Sequence, residues 1–189
     1  MRKAVFLDRD GTVLTLAGGT GYLSDSRSMR LLPGAARAIA LLNKAGFLVF
    51  IHTNQAIVAR GKLTEEKLQH IHKVLFERLK KQGAHIDALY YCPHHPEAKI
   101  KKYRVVCVCR KPKTGMLKKA IKDFNVDAKK SFMVGDSSKD ILAGKRAGLQ
   151  TILVKTGNAG REWSAVSVVP DFVEKNILAA AVRIKKAAK

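Results

Sequence analysis

Ala4-Val5-Phe6-Leu7-Asp8-Arg9-Asp10-Gly11-Thr12 runs four apolar residues straight into two carboxylates and a glycine. A short, uninterrupted apolar run that ends in charge suits a strand covered on both faces, as in a parallel sheet between helices. Working outward, residues 47–52, 88–91, 131–134 and 151–154 are further brief runs rich in β-branched and aromatic residues, each giving way to polar or glycine-containing sequence. Longer amphipathic stretches predict helices over 33–45, stopped by Gly46, and over 64–83, with Glu65 and Glu66 at the positive end of the helix dipole. Others follow over 116–124, over 139–147, stopped by Gly148, and over the basic tail 174–189. The alternation predicts an α/β fold, a parallel sheet flanked by helices. There is no internal repeat, linker or low-complexity tract, so residues 1–189 are expected to form a single domain.

Composition narrows the field. The 189 residues are 47% hydrophobic, which supplies a core and excludes disorder. No apolar run approaches the roughly 18 residues of a membrane span. The N-terminus meets charge at Asp8 after four apolar residues, so no secretory leader is expected and the expected compartment is the cytoplasm. Thirty-six Lys and Arg against 15 Asp and Glu give a net charge of +21, spread as +5 over residues 1–60, +11 over 61–130 and +5 over 131–189. The lysines are scattered on helical faces with few aromatics among them, unlike a platform that stacks single strands, so nucleic acid is not the expected partner. Most of the surplus is expected to be solvated surface, with attraction of an anionic substrate as its functional use.

Three strand ends carry chemistry, and ligands of open α/β sheets bind beyond the carboxyl ends of the strands. At the first, Asp8 is placed to attack phosphorus as a carboxylate nucleophile, and Asp10 to protonate the leaving oxygen and later activate water. At the second, Thr53 and Asn54, with Gln55 beside them, offer a hydroxyl and an amide to a transferring phosphoryl group. His52, inside that strand, is expected to be a hydrogen-bonded core histidine. At the third, Gly135-Asp136-Ser137-Ser138-Lys139-Asp140, the Asp136 carboxylate suits a hard cation such as Mg²⁺ shared with Asp8, while Asp140 fits either that cation or a first-turn helix position. Lys111 suits the charge that builds on a phosphoryl group, and Arg110 a second anionic group. The spacing from Asp8 to Thr53 to Lys111 leaves no room for a large cap, so an open site is expected.

All three cysteines fall within a loop at 92–109, as Cys92-Pro93-His94-His95 and Cys107-Val108-Cys109. Three thiolates and an imidazole with no open position point to a structural, tetrahedral Zn²⁺ on Cys92, His94, Cys107 and Cys109, with His95 as the substitute for His94. Cys109 directly precedes Arg110 and Lys111, so zinc there would position the cations and do no chemistry itself.

The ordered set Asp8-Arg9-Asp10-Gly11-Thr12, Thr53-Asn54-Gln55, Lys111 and Gly135-Asp136 through Asp140 resembles the four motifs of the haloacid dehalogenase (HAD) superfamily of phosphohydrolases, over nearly the whole chain. The resemblance implies a Rossmann-like, essentially capless sheet, an aspartyl-phosphate on Asp8, acid/base work by Asp10, and a phosphoryl group held by Thr53 and Lys111. It also implies Mg²⁺ on Asp8, Asp136 and the backbone carbonyl of Asp10. The cysteine-histidine loop resembles the branch holding histidinol-phosphate and heptose-bisphosphate phosphatases. Ala59-Arg60-Gly61-Lys62 after Gln55, and Gly21-Tyr22, lie closer to the heptose enzymes. That branch implies Gly21, Tyr22, Asn54, Gln55 and Arg110 as substrate contacts and removal of a 7-phosphate from a small sugar bisphosphate in nucleotide-activated heptose biosynthesis; separately, a monomer is expected. Histidinol phosphate is the alternative substrate; phosphorylated nucleic-acid ends, or a basic binding module without catalysis, are the remoter ones. Ala56-Ile57, Thr114 and Ser137 depart from the branch pattern, and all are expected on the substrate side.

Overall fold

Every residue of the first strand, β1 (Ala4–Leu7), is buried, because the strand lies in the middle of a sheet that is covered on both sides. A computed structural model describes residues 1–16, 22–161 and 168–187. After β1 come α1 (Ala35–Lys44), β2 (Leu48–Asn54), α2 (Ala56–Ala59), α3 (Glu65–Lys80) and β3 (Ala88–Cys92). Then follow α4 (Gly115–Asp123), β4 (Phe132–Gly135), α5 (Ser138–Arg146), β5 (Gln150–Val154), β6 (Phe172–Glu174) and α6 (Ile177–Ala187). The strands pair in the order β3-β2-β1-β4-β5-β6, and every pairing is parallel.

Alternation along the strands divides the core in two. Val5, Leu7, Val49 and Ile51 face Ile39 of α1, Leu75 of α3 and Ile184 of α6. Phe6, Phe50 and Met133 face Leu117 of α4 and Ala143 of α5. Phe50 anchors this second layer, its ring 5.1 Å from Phe6 and 4.8 Å, edge-on, from Phe124. Full burial of one such side chain contributes about 1.5–3 kcal/mol.

The expected strands and helices are all present within a few residues of their expected ends, and three differences have simple causes. β6 was not expected: its three residues are too short to show a pattern, and it exists because Phe172–Glu174 pairs with β5. The tail helix starts at Ile177, not at 174, because Asn176 Oδ1 caps it by accepting from the Ala179 N–H at 2.9 Å. The single-turn α2, between β2 and α3, was also not expected. Thr64 caps α3, accepting from the Lys67 N–H. Among the described residues no helix is long and apolar enough to cross a membrane.

The topology brings the carboxyl ends of β1, β2 and β4 together. It also sets the end of β2 beside that of β3: Asn54 is in register with Cys92, and the Gln55 N–H donates to the Cys92 carbonyl at 2.7 Å. The cysteine-histidine loop is therefore tethered to the same edge of the sheet as the strand-end carboxylates.

Candidate active site

Beyond these ends lies a pocket of about 400 Å³ whose lining includes Asp8, Asp10, Thr53, Lys111 and Asp136. Asp8 is the first residue past β1, and its N–H extends the ladder by donating to the Val134 carbonyl at 3.0 Å. Lys111 reaches it from the far loop. Its Nζ, 5% exposed as a residue, donates to Asp8 Oδ1 at 2.7 Å, to Asp140 Oδ1 at 2.6 Å and to the His52 carbonyl at 3.0 Å. Burial opposes the Lys111 charge, but Asp140 and Asp8 outweigh it and hold the ammonium more firmly protonated than usual. Asn54 fixes the base of that lysine: Oδ1 accepts from the Lys111 N–H at 3.0 Å and Nδ2 donates to its carbonyl at 3.2 Å.

The third strand end supplies Asp136, which is clamped from two sides. Gly11 (φ +88°) and Gly157 (φ +57°) lie so close that a Cβ on either would collide with Asp136 Oδ2, and the Asn158 N–H donates to that oxygen at 2.7 Å. Burial, with the Asp140 charge nearby, pushes the Asp136 carboxyl up to about 7. Burial likewise raises Asp8, against the pull of Lys111. Asp8, Asp136 and Asp140 lie close enough to share one ion, and Lys111 is bonded to two of them. Three carboxyl groups gathered this closely fit a hard, oxygen-seeking cation. Asp140 is the least free of the three. It is fully buried, and its second oxygen accepts from the Ser137 hydroxyl at 2.6 Å and the Ser137 N–H at 3.2 Å. It thus caps α5 and holds Lys111 at the same time.

Asp10 is set apart from this group by Arg9, which is 1% exposed. The guanidinium donates to both Asp10 oxygens and to Gln55 Oε1 at 2.9 Å, and its third nitrogen meets His72 Nε2 at 3.0 Å. Gln55 in turn donates from Nε2 to Asp10 Oδ2 at 2.9 Å and to Thr53 Oγ1 at 2.8 Å. Burial and the Arg9 charge push His72 down to about 3, so it is neutral.

The expected residues fare unequally. Asp8, Asp10, Thr53, Asn54, Tyr22, Arg110, Lys111 and Asp136 all line the pocket. Gln55 does not: expected at the substrate, it is 2% exposed, with its amide spent on Arg9, Asp10 and Thr53. Gly21 lies outside the described residues. His52 is a core residue as expected but not a hydrogen-bonded one, since both ring nitrogens are buried without a partner. Burial, with Lys111 close by, holds it neutral. Ser137 and Ala56 line the pocket, but the Ser137 hydroxyl also supports Asp140, so that departure reaches the reaction centre. Arg60, Lys139 and Asn158 join the lining without having been singled out as contacts, and the Arg60 guanidinium lies 5.2 Å over the Tyr22 ring.

The second cluster sits beside the first. Cys92, His94, Cys107 and Cys109 offer four ligand atoms within 4.8 Å of one another. Cys92 Sγ lies 3.1 Å from Cys109 Sγ and 3.5 Å from Cys107 Sγ, and His94 Nδ1 lies 3.4 Å from Cys109 Sγ. The edges of a tetrahedron with Zn–S bonds of about 2.3 Å are roughly 3.8 Å long, so a small expansion separates the cluster from a metal-sized cage. His95 is not part of it, since its Nδ1 accepts from the Glu97 N–H. Arg110 donates to the His94 carbonyl at 3.2 Å, which couples the pocket wall to the loop.

Residues 108–180 match the family model described as HAD-hydrolase-like. The D-glycero-beta-D-manno-heptose-1,7-bisphosphate 7-phosphatase of Pasteurella multocida is 44% identical over 158 residues, 83% of this chain and 84% of that one. Its namesake in Vibrio cholerae is 37% identical over 188 residues, 98% and 99% of the two chains. Among solved structures, the D,D-heptose 1,7-bisphosphate phosphatase of B. bronchiseptica, complexed with magnesium and phosphate, superposes with a TM-score of 0.86 at 33% identity, covering 98% of this chain and 99% of that one.

Proposed function

This chain belongs to the HAD-like hydrolases, related along its length to heptose-bisphosphate 7-phosphatases, and from that premise we propose that it removes the 7-phosphate of D-glycero-β-D-manno-heptose 1,7-bisphosphate through an aspartyl-phosphate on Asp8. It is a phosphoric monoester hydrolase. One observation carries the reading: Asp8, with Lys111 Nζ 2.7 Å away, shares a single pocket with Thr53, Asp10 and Asp136.

In the first half-reaction an Asp8 oxygen bonds to phosphorus, the bond from phosphorus to the sugar oxygen breaks, and that oxygen takes a proton from Asp10. In the second, Asp10 takes a proton from water, the water oxygen bonds to phosphorus, and the bond to Asp8 breaks to release phosphate. Lys111 faces the charge on the phosphoryl oxygens. Thr53 donates its hydroxyl proton to them while its oxygen accepts from Gln55. Asp8 and Asp136, with the Asp10 carbonyl, are the residues that would hold Mg²⁺, which when bound neutralises and orients the phosphoryl group. Asp140 acts on Lys111 and is not assigned as a ligand.

Arg110, Arg60 and Tyr22, with Gly21, are assigned to the sugar and its second phosphate, and a structural Zn²⁺ is assigned to Cys92, His94, Cys107 and Cys109. The protein acts as a single-domain monomer on a small sugar phosphate, without nucleic acid, and its three free thiols suit a reducing cytoplasm. The test is phosphate release with Mg²⁺ from both anomers of the heptose bisphosphate and from histidinol phosphate, with Asp8→Asn as the blank. The β anomer is expected to give the highest kcat/KM; a preference for histidinol phosphate, or no release from any of the three, overturns the reading.

A further inference from the structure

Arg9 is among the largest fully buried side chains of the protein, and its guanidinium bonds Asp10, Gln55 and His72. A guanidinium has donors and no acceptor, so each of its partners must accept. His72 Nε2 therefore presents its lone pair and carries its proton on Nδ1. Gln55 must turn its carbonyl toward Arg9, which sends its NH₂ toward Asp10 and Thr53. One buried cation thereby sets the donor and acceptor sense of His72, Gln55, Thr53 and Asp10. The two oxygens of Asp10 are not equivalent in this arrangement. Oδ2 receives Arg9 Nε at 3.2 Å, an Arg9 terminal nitrogen at 2.9 Å and Gln55 Nε2 at 2.9 Å, whereas among the described residues Oδ1 receives Arg9 Nε alone, at 3.1 Å.

We propose that Arg9, braced by His72 and Gln55, is a positioning residue of the reaction, which saturates Asp10 Oδ2 and leaves Oδ1 as the atom that gives up and takes back the proton. The proposal rests on the acid/base role assigned to Asp10 above. Its distinguishing consequence concerns the leaving group. A sugar alkoxide needs the proton from Oδ1 as it departs, while p-nitrophenolate departs without one. Water attack on the aspartyl-phosphate needs Asp10 with either substrate.

The experiment compares Arg9→Met, Asp10→Asn and the unaltered protein on the heptose bisphosphate and, by stopped flow, on p-nitrophenyl phosphate. Arg9→Met is expected to lose about 100-fold in kcat on the sugar phosphate at little-changed KM, while still giving a rapid burst of p-nitrophenol close to one per active site before slow turnover. Loss of the burst in Arg9→Met, with a burst retained in Asp10→Asn, overturns the positioning role alone. Loss of the burst in Asp10→Asn overturns the acid/base assignment and the proposal with it. His72→Leu and His72→Gln test the brace if Arg9→Met fails to fold, because a glutamine carbonyl can accept from Arg9 and leucine cannot. A roughly five- to tenfold fall in kcat with leucine, restored by glutamine at unchanged KM, is the expected result; equal behaviour of the two overturns the proposal.

Discussion

The strand-end carboxylates and the thiol loop adjoin the same lysine but are assembled in opposite ways. Asp8, Asp136 and Asp140 are held by buried strands, a helix cap and two close-packed glycines, so the fold imposes their crowding. Cys107 and Cys109 are only half-buried and follow a stretch in which Val106 is 81% exposed. The described contacts among the four side chains are with one another. The sheet forces the first cluster together, whereas the second joins a buried strand-end cysteine, Cys92, to a more exposed loop.

The comparison breaks most visibly at Asp8. Asp8→Asn is expected to reduce phosphate release at least about 10⁴-fold, yet to leave the thermal midpoint equal or higher, since one charge leaves a crowded site. A lowered midpoint would mean that the carboxylate group stabilises the fold. Next in size is Lys111→Met, which strands Asp8 and Asp140 without their shared cation. A loss of about 3–5 kcal/mol in urea unfolding is expected, with turnover down roughly 10²–10³-fold, and Asp140→Asn added to it should recover part of the stability.

Stripping the loop with a thiophilic chelator should lower turnover by about 10- to 100-fold while far-ultraviolet circular dichroism and the Asp8 site survive. Full activity of the metal-free protein would remove the proposed link between Cys109 and the Arg110–Lys111 pair. The smallest effect belongs to Glu65, whose carboxylate accepts from the Tyr103 and Tyr91 hydroxyls at 2.7 Å each and so staples the loop to α3. Those two hydroxyls hold its carboxyl below the usual range. Its contribution is therefore present above the unfolded value of about 4.3 and fades as pH falls through the lower folded value. Glu65→Gln is expected to cost at most about 1 kcal/mol at pH 7 and nothing measurable in acid, read as the difference in thermal midpoint at the two pH values.

What the sequence disclosed follows from how locally each feature is encoded. Strands buried on both faces announce themselves as apolar runs, and the carboxylates that end them are adjacent in the chain, so the sheet and Asp8, Asp10 and Asp136 were all legible. β6 was not, since three residues carry no period and only the neighbouring β5 makes them a strand. Arg9 stood in plain view between two aspartates, but Gln55 and His72, which give it a role, lie 46 and 63 positions away. Gln55 was misplaced for the related reason that sequence neighbours of a strand end need not face the same way. Arg60 and Asn158 reach the pocket from loops whose path is set by packing. No charge pattern marked them.

The position of β1 has a consequence for how the protein comes into being. Val5 pairs with Val49 on one side and with Phe132 on the other. A chain still emerging from the ribosome holds Asp8, Asp10 and Thr53 well before Asp136 and Asp140 exist. Until β4 docks, that half-sheet carries Asp8 without Asp136 and Asp140 and exposes one edge of its central strand. Pairing across so long a stretch of chain is slow to form. The carboxylate cluster is therefore completed late, once synthesis has passed the second half of the sheet.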